Sequence, residues 1–90
     1  MNRVLWKVRL GEGETYQGTY AQPSEVRAVP VVGDTIRILH GLEGDVRTRT
    51  FVLATGVWVL GVDTHMYVTD PSTLRHLAED LRNHNWRVEV

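Results

Sequence analysis

The chain is 90 residues long, with ten basic and eleven acidic side chains for a net charge of −1, and it has no cysteine. That length allows one domain with a modest core, and the missing cysteines exclude disulfides and thiolate metal sites. The near-neutral charge argues against a general nucleic-acid binder, whose affinity comes mostly from phosphate neutralisation, and no apolar run approaches the ~20 residues that span a bilayer. The N-terminus lacks the continuous apolar segment of a signal peptide, so a cytoplasmic location is expected. Nine of the ten basic residues are arginine, a bias expected of a GC-rich coding genome, phage or bacterial. A small domain without disulfides relies on its core or on a partner subunit, which makes homo-oligomerisation an expectation from the outset.

In chain order, residues 3–10 alternate: Val4, Trp6, Val8 and Leu10 share one face, Arg3, Leu5, Lys7 and Arg9 the other. Period two predicts a half-buried antiparallel strand. Gly11 to Glu14 supplies a turn, and Thr15 to Ala21 reads as a second strand with Tyr16, Gly18 and Tyr20 on one face. Gln22 to Val32, punctuated by Pro23 and Pro30, reads as an ordered loop. Gly33-Asp34 turns into a third strand at Thr35 to His40, and Gly41 to Asp45 reads as a hairpin connection.

Val46 to Leu60 is strand-prone throughout, alternating at first and then apolar on both faces, with Gly56 as the expected bend or bulge. Gly61-Val62-Asp63 is expected to turn the chain into a strand from Thr64 to Thr69, where Met66 and Val68 alternate with polar neighbours. Asp70 and Pro71 carry the capping signature of a helix start. Leu74, Leu77, Ala78 and Leu81 form one apolar stripe, and Asn83-His84-Asn85 suits a helical stop. Trp86, Val88 and Val90 alternate as a last strand. The expected fold is therefore α+β: a small bent antiparallel sheet, or SH3-like partial barrel, of five to six strands with one amphipathic helix before the last.

The run Pro30-x-Val32-Gly33-Asp34-x-Ile36, with Val57-Trp58 and Tyr67-Val68 further on, resembles a set of short bacterial and phage proteins of unknown function. Gly33-Asp34-Thr35-Ile36-Arg37-Ile38 is also similar to a strand of the SH3-like barrel class, including a bacterial large-subunit ribosomal protein. The resemblance spans about residues 29–69 and implies a small barrel without catalytic residues. Turn geometry explains the motif, since Gly33 suits the tight turn and Asp34 can accept hydrogen bonds from turn N–H groups.

Among candidate sites, His76, Asp80 and His84 form an i, i+4, i+8 helix stripe of possible metal ligands. Three collinear ligands rarely converge on one ion, so a solvated flank is the stronger reading and no cofactor is expected. Asp63 and His65 are read as sharing a face, within reach of Asp34 or His40 in the fold. With only Ser24 and Ser72 as serines, though, no nucleophile accompanies them, and no enzyme is expected. Arg47 and Arg49 are read as sharing a strand face, with Arg37 on a neighbouring strand. With Trp58 or Tyr67 they would make a small nucleic-acid surface, which the net charge disfavours. The doubly apolar run needs cover on both sides, and one helix covers one side only. Phe51, Leu53, Val57, Trp58 and Leu60 are therefore the expected contact surface for a protein partner or a second copy.

Overall fold

A computed structural model describes residues 1–11, 13–65 and 71–89. Its strands are β1 (Asn2–Arg9), β2 (Thr19–Val26), β3 (Thr35–Leu39), β4 (Leu42–Val52), β5 (Val57–Thr64) and β6 (Arg87–Glu89), with helix α1 (Pro71–Asn83) before the last. They form one six-stranded sheet in the order β3-β4-β5-β1-β2-β6. All neighbours are antiparallel except β1 and β5. The sheet curls into a half-barrel, so the expected α+β class and the helix before the closing strand stand as described. The parallel pairing of β1 with β5 lies outside the expectation, because it joins strands some fifty residues apart with no local signal. Expected features at Met66, Tyr67, Val68, Asp70 and Val90 lie outside the described residues.

The alternation of β1 does what it predicts. Val4, Val8 and Leu10 are buried on the inner face, beside Leu60 and Val62 of β5 and Tyr20 of β2. The α1 stripe lies on that face, burying Leu74, Ala78 and Leu81. One core joins Val8, Leu10, Leu42, Val46 and Val62 to Ala78, Leu81 and Trp86. The helix stops at the asparagine cluster: Asn85 takes φ 67°, and Trp86 N–H bonds back to the Leu81 carbonyl at 3.0 Å, a Schellman-type closure. Gln22 ties this stop to β2 by donating to the His84 carbonyl at 2.7 Å.

Four local expectations are corrected. The segment from Gln22 is not a loop: β2 runs on to Val26, with Pro23 opposite Leu5. Leu10 N–H bonds to the Gly18 carbonyl at 3.0 Å, which sets the ladder phase and turns the Pro23 nitrogen away from β1. β6 pairs with Thr19 to Ala21 only, so Pro23 sits where the sheet edge is free and a missing N–H costs little. It also denies β6 its next partner.

The second correction concerns the hairpin connection, which is only His40-Gly41. Leu42 to Asp45 already belongs to β4, and Leu42 is buried because the alternation continues back through it. The third is Gly56, which ends a tight β4–β5 turn at φ 68°, donating its N–H to the Val52 carbonyl at 2.9 Å. The real bulge is at Arg47, where the register slips between Val46 and Thr48. Fourth, Gly61 to Asp63 is not a turn, since β5 runs straight through it. Gly61 N–H bonds the Thr48 hydroxyl at 3.1 Å, and a Cβ on Gly61 would collide with that oxygen. Here glycine serves close strand approach, not a turn.

The Val31–Asp34 turn behaves as its sequence suggests. The Asp34 carboxylate accepts from Val31 N–H at 2.9 Å, and the turn is stitched to β4 through Gly33 N–H to Val46 carbonyl and Val46 N–H to Asp34 carbonyl.

Candidate interaction surface

Register fixes which side chains share a face. On the inner face, Phe51 of β4 lies opposite Trp58 of β5, and Arg49 opposite Leu60. The Phe51 and Trp58 rings are 4.9 Å apart and tilted by 52°. The Arg49 guanidinium lies 4.2 Å over the Trp58 ring, and its Nε donates to the Pro30 carbonyl at 3.1 Å. Such an arginine is held by both a ring quadrupole and a backbone acceptor. Helix α1 does not cover this end of the sheet: Phe51 is 44% exposed, and Leu53 in the adjoining turn is 86% exposed. Val31 and Val32, beside Pro30, are 50% and 59% exposed.

Of the five residues expected to form one contact surface, Phe51, Trp58 and Leu53 lie together at this end. Val57 is half-buried on the opposite face. Leu60 is corrected, being fully buried under the curl of the sheet, where it has no surface to offer.

The three arginines do not share a face, contrary to the reading of Arg47 and Arg49 as neighbours. The bulge at Arg47 shifts the phase by one residue. Arg47 therefore pairs with Asp63 at 3.6 Å on the outer face, while Arg49 lies over Trp58 on the inner. Arg37, also outer, pairs with Glu43 at 3.0 Å.

His65 meets neither Asp34 nor His40. Its Nε2 lies 2.8 Å from Asp45 Oδ1, and the Thr35 hydroxyl donates to the same oxygen at 2.9 Å. The His65 hydrogen bond, then that of Thr35, holds the Asp45 carboxyl below the usual carboxylate range. Among the described residues, the bonds to Asp45 come from His65 and Thr35 and not from a serine. On α1, the His84 ring nitrogen is 2.7 Å from the Asp80 carbonyl. Among the described residues no cluster of three or more His, Asp or Glu is placed to hold a metal ion. No helix among them is long and apolar enough to cross a membrane.

The outer face has its own gradient. Along β1 and its neighbours, Lys7, Arg9, Asp63 and Glu89 crowd one end, with Lys7 bridging to Glu89 at 3.4 Å. The other end is apolar, where Leu5 lies between Val59 and Pro23. In the sequence Leu5 falls on the otherwise polar face of its strand. An apolar residue among Arg3, Lys7 and Arg9 was the signal missed. Asp45 lies within β4, not in the hairpin connection expected there.

Comparison of the chain with family models, with curated proteins and with solved structures gave no match.

Proposed function

We propose that this protein is a non-enzymatic binding or assembly module that docks another protein through the uncovered end of its β4–β5 hairpin. The supporting observation is Leu53, 86% exposed at the tip of a hairpin whose Phe51–Trp58 pair is already held in place by Arg49. A single exposed leucine is ordinary, but Leu53 adjoins the part-exposed Phe51, and a grouped apolar patch marks an interaction site. Beside a pre-positioned tryptophan and arginine it has the composition that dominates protein–protein hot spots, and rigidity before binding lowers the entropy cost of docking.

The nucleic-acid alternative through Arg37, Arg47 and Arg49 has less support. Two of these arginines face acidic partners on the outer side and the third is stacked on the inner.

A photo-reactive phenylalanine at position 53, introduced into the full chain in its native cell, tests the reading. One discrete adduct is expected from position 53, lost when Phe51→Ser is added, and none from position 79 on the exposed side of α1. No adduct from position 53, or the same adducts from both positions, overturns it.

A further inference from the structure

The outer face of the β1–β2 hairpin holds a second surface, independent of the hairpin-end reading. Arg3, Leu5, Pro23, Glu25 and Val57 line a shallow depression of about 500 Å³. Its floor is apolar and its rim carries opposite charges, with Arg3 and Glu25 as direct cross-strand partners. They fall at a non-hydrogen-bonded ladder position, where side chains stand closest. No ion pair forms between them, because the Arg3 guanidinium instead donates to the Thr55 carbonyl. Glu25 is left exposed, without an ion-pair partner among the described residues, beside an apolar depression.

We infer that this face pairs with a second copy of the chain about a twofold axis running along the β1–β2 hairpin. Rotation about an axis between the two strands lays β1 of one copy over β2 of the other without reversing direction. Arg3 then faces Glu25 of the second copy, and Leu5 faces its Pro23. Each contact recurs in reverse, which is what an isologous interface requires. The sheet is thus self-complementary here in both charge and apolar content. Because it curls away on either side, contact is confined to the strip along β1 and β2. That small area gives an affinity on the order of micromolar rather than an obligate dimer. The same rotation keeps both Leu53 tips at one end, so a dimer offers two docking hairpins to a repeated partner, and avidity follows from their linkage.

Sedimentation equilibrium through the micromolar range tests this on four proteins. The unmodified chain should reach dimer and stop there. Arg3→Glu and Glu25→Arg should each weaken dimerisation roughly tenfold or more, since each places two like-charge contacts across the axis. An equimolar mixture of the two variants should recover it, because Glu at position 3 then faces Arg at position 25 and the native pair fills the other contact. A pairing within one chain cannot produce that recovery.

Leu53→Asp should dimerise as the unmodified chain does. A strict monomer, growth beyond two copies, or no recovery on mixing overturns the inference. Loss of the dimer in Leu53→Asp moves the contact to the hairpin end. If Arg3→Glu fails to fold for want of the Thr55 bond, Glu25→Arg decides alone, as that side chain is exposed and unpaired. A dimer it leaves unweakened overturns the proposal.

Discussion

The two ends of the half-barrel are made by the same strands and differ in what covers them. At the Leu10 end, the inner face meets α1 and the β3–β4 hairpin, and Val8, Val46, Val62 and Leu81 are buried to completion. At the Phe51 end, the inner face of β4 and β5 carries an aromatic pair and an arginine, and the adjoining turn exposes a leucine. The first end uses apolar area to fold. The second holds comparable side chains in fixed geometry while leaving them in water. On the function proposed above, stability and binding are segregated along the strands, and substitutions at the two ends should separate the two properties.

The largest effect belongs to the covered end. Leu81→Ala, at a fully buried position, should cost about 3 kcal/mol in a denaturant melt, the range for truncating a buried leucine. A loss under about 1 kcal/mol, the size of a single methylene, would mean that α1 is not a structural lid. At the other end, Phe51→Ala should cost only about 1 kcal/mol, because it forfeits one ring pair that is already half in water. A loss as large as that of Leu81→Ala would erase the distinction between the ends.

A subtler effect lies at acid pH. Asp45 has a folded pKa below its unfolded one, so its contribution is present above the ordinary carboxylate range. It is lost as pH falls through the lower folded value. Asp45→Asn should therefore flatten the acid limb of the stability curve. In the unmodified chain, carboxyl NMR should show Asp45 titrating below a free aspartate, and rising towards it in Thr35→Ala with His65→Gln. Smallest of all, Leu53→Asp should change stability by less than about 0.5 kcal/mol in the same denaturant melt, as expected of an exposed site.

Much of the covered end was legible in the sequence. The alternation of Val4, Trp6, Val8 and Leu10, the i, i+3, i+4, i+7 stripe of α1 and the Asn85 stop are local signals, and local structure obeys them. What was not legible depends on neighbours distant in sequence. Pro23 belongs in a strand only because the edge beside it is free. Gly61 belongs in a strand because Thr48 stands where its Cβ would be. The bulge at Arg47 cannot be seen from β4 alone, yet it decides that Arg47 and Arg49 part company. The proposed contact surface was half legible for the same reason. Phe51, Leu53 and Trp58 stand out as apolar, but only the curl of the sheet distinguishes them from Leu60, which shares their composition and lies in the core.

Pro23 has a consequence beyond the shortness of β6. A free strand edge is a growth front, ready to template the next chain through its outward N–H and C=O groups. In β2 the front is interrupted at the one place where the ladder would need its next donor. Without that donor the edge is a poorer template for strand-by-strand addition. Pro23→Val would restore that donor. Its mark should be faster fibril formation from concentrated protein, with the folded state itself almost unchanged.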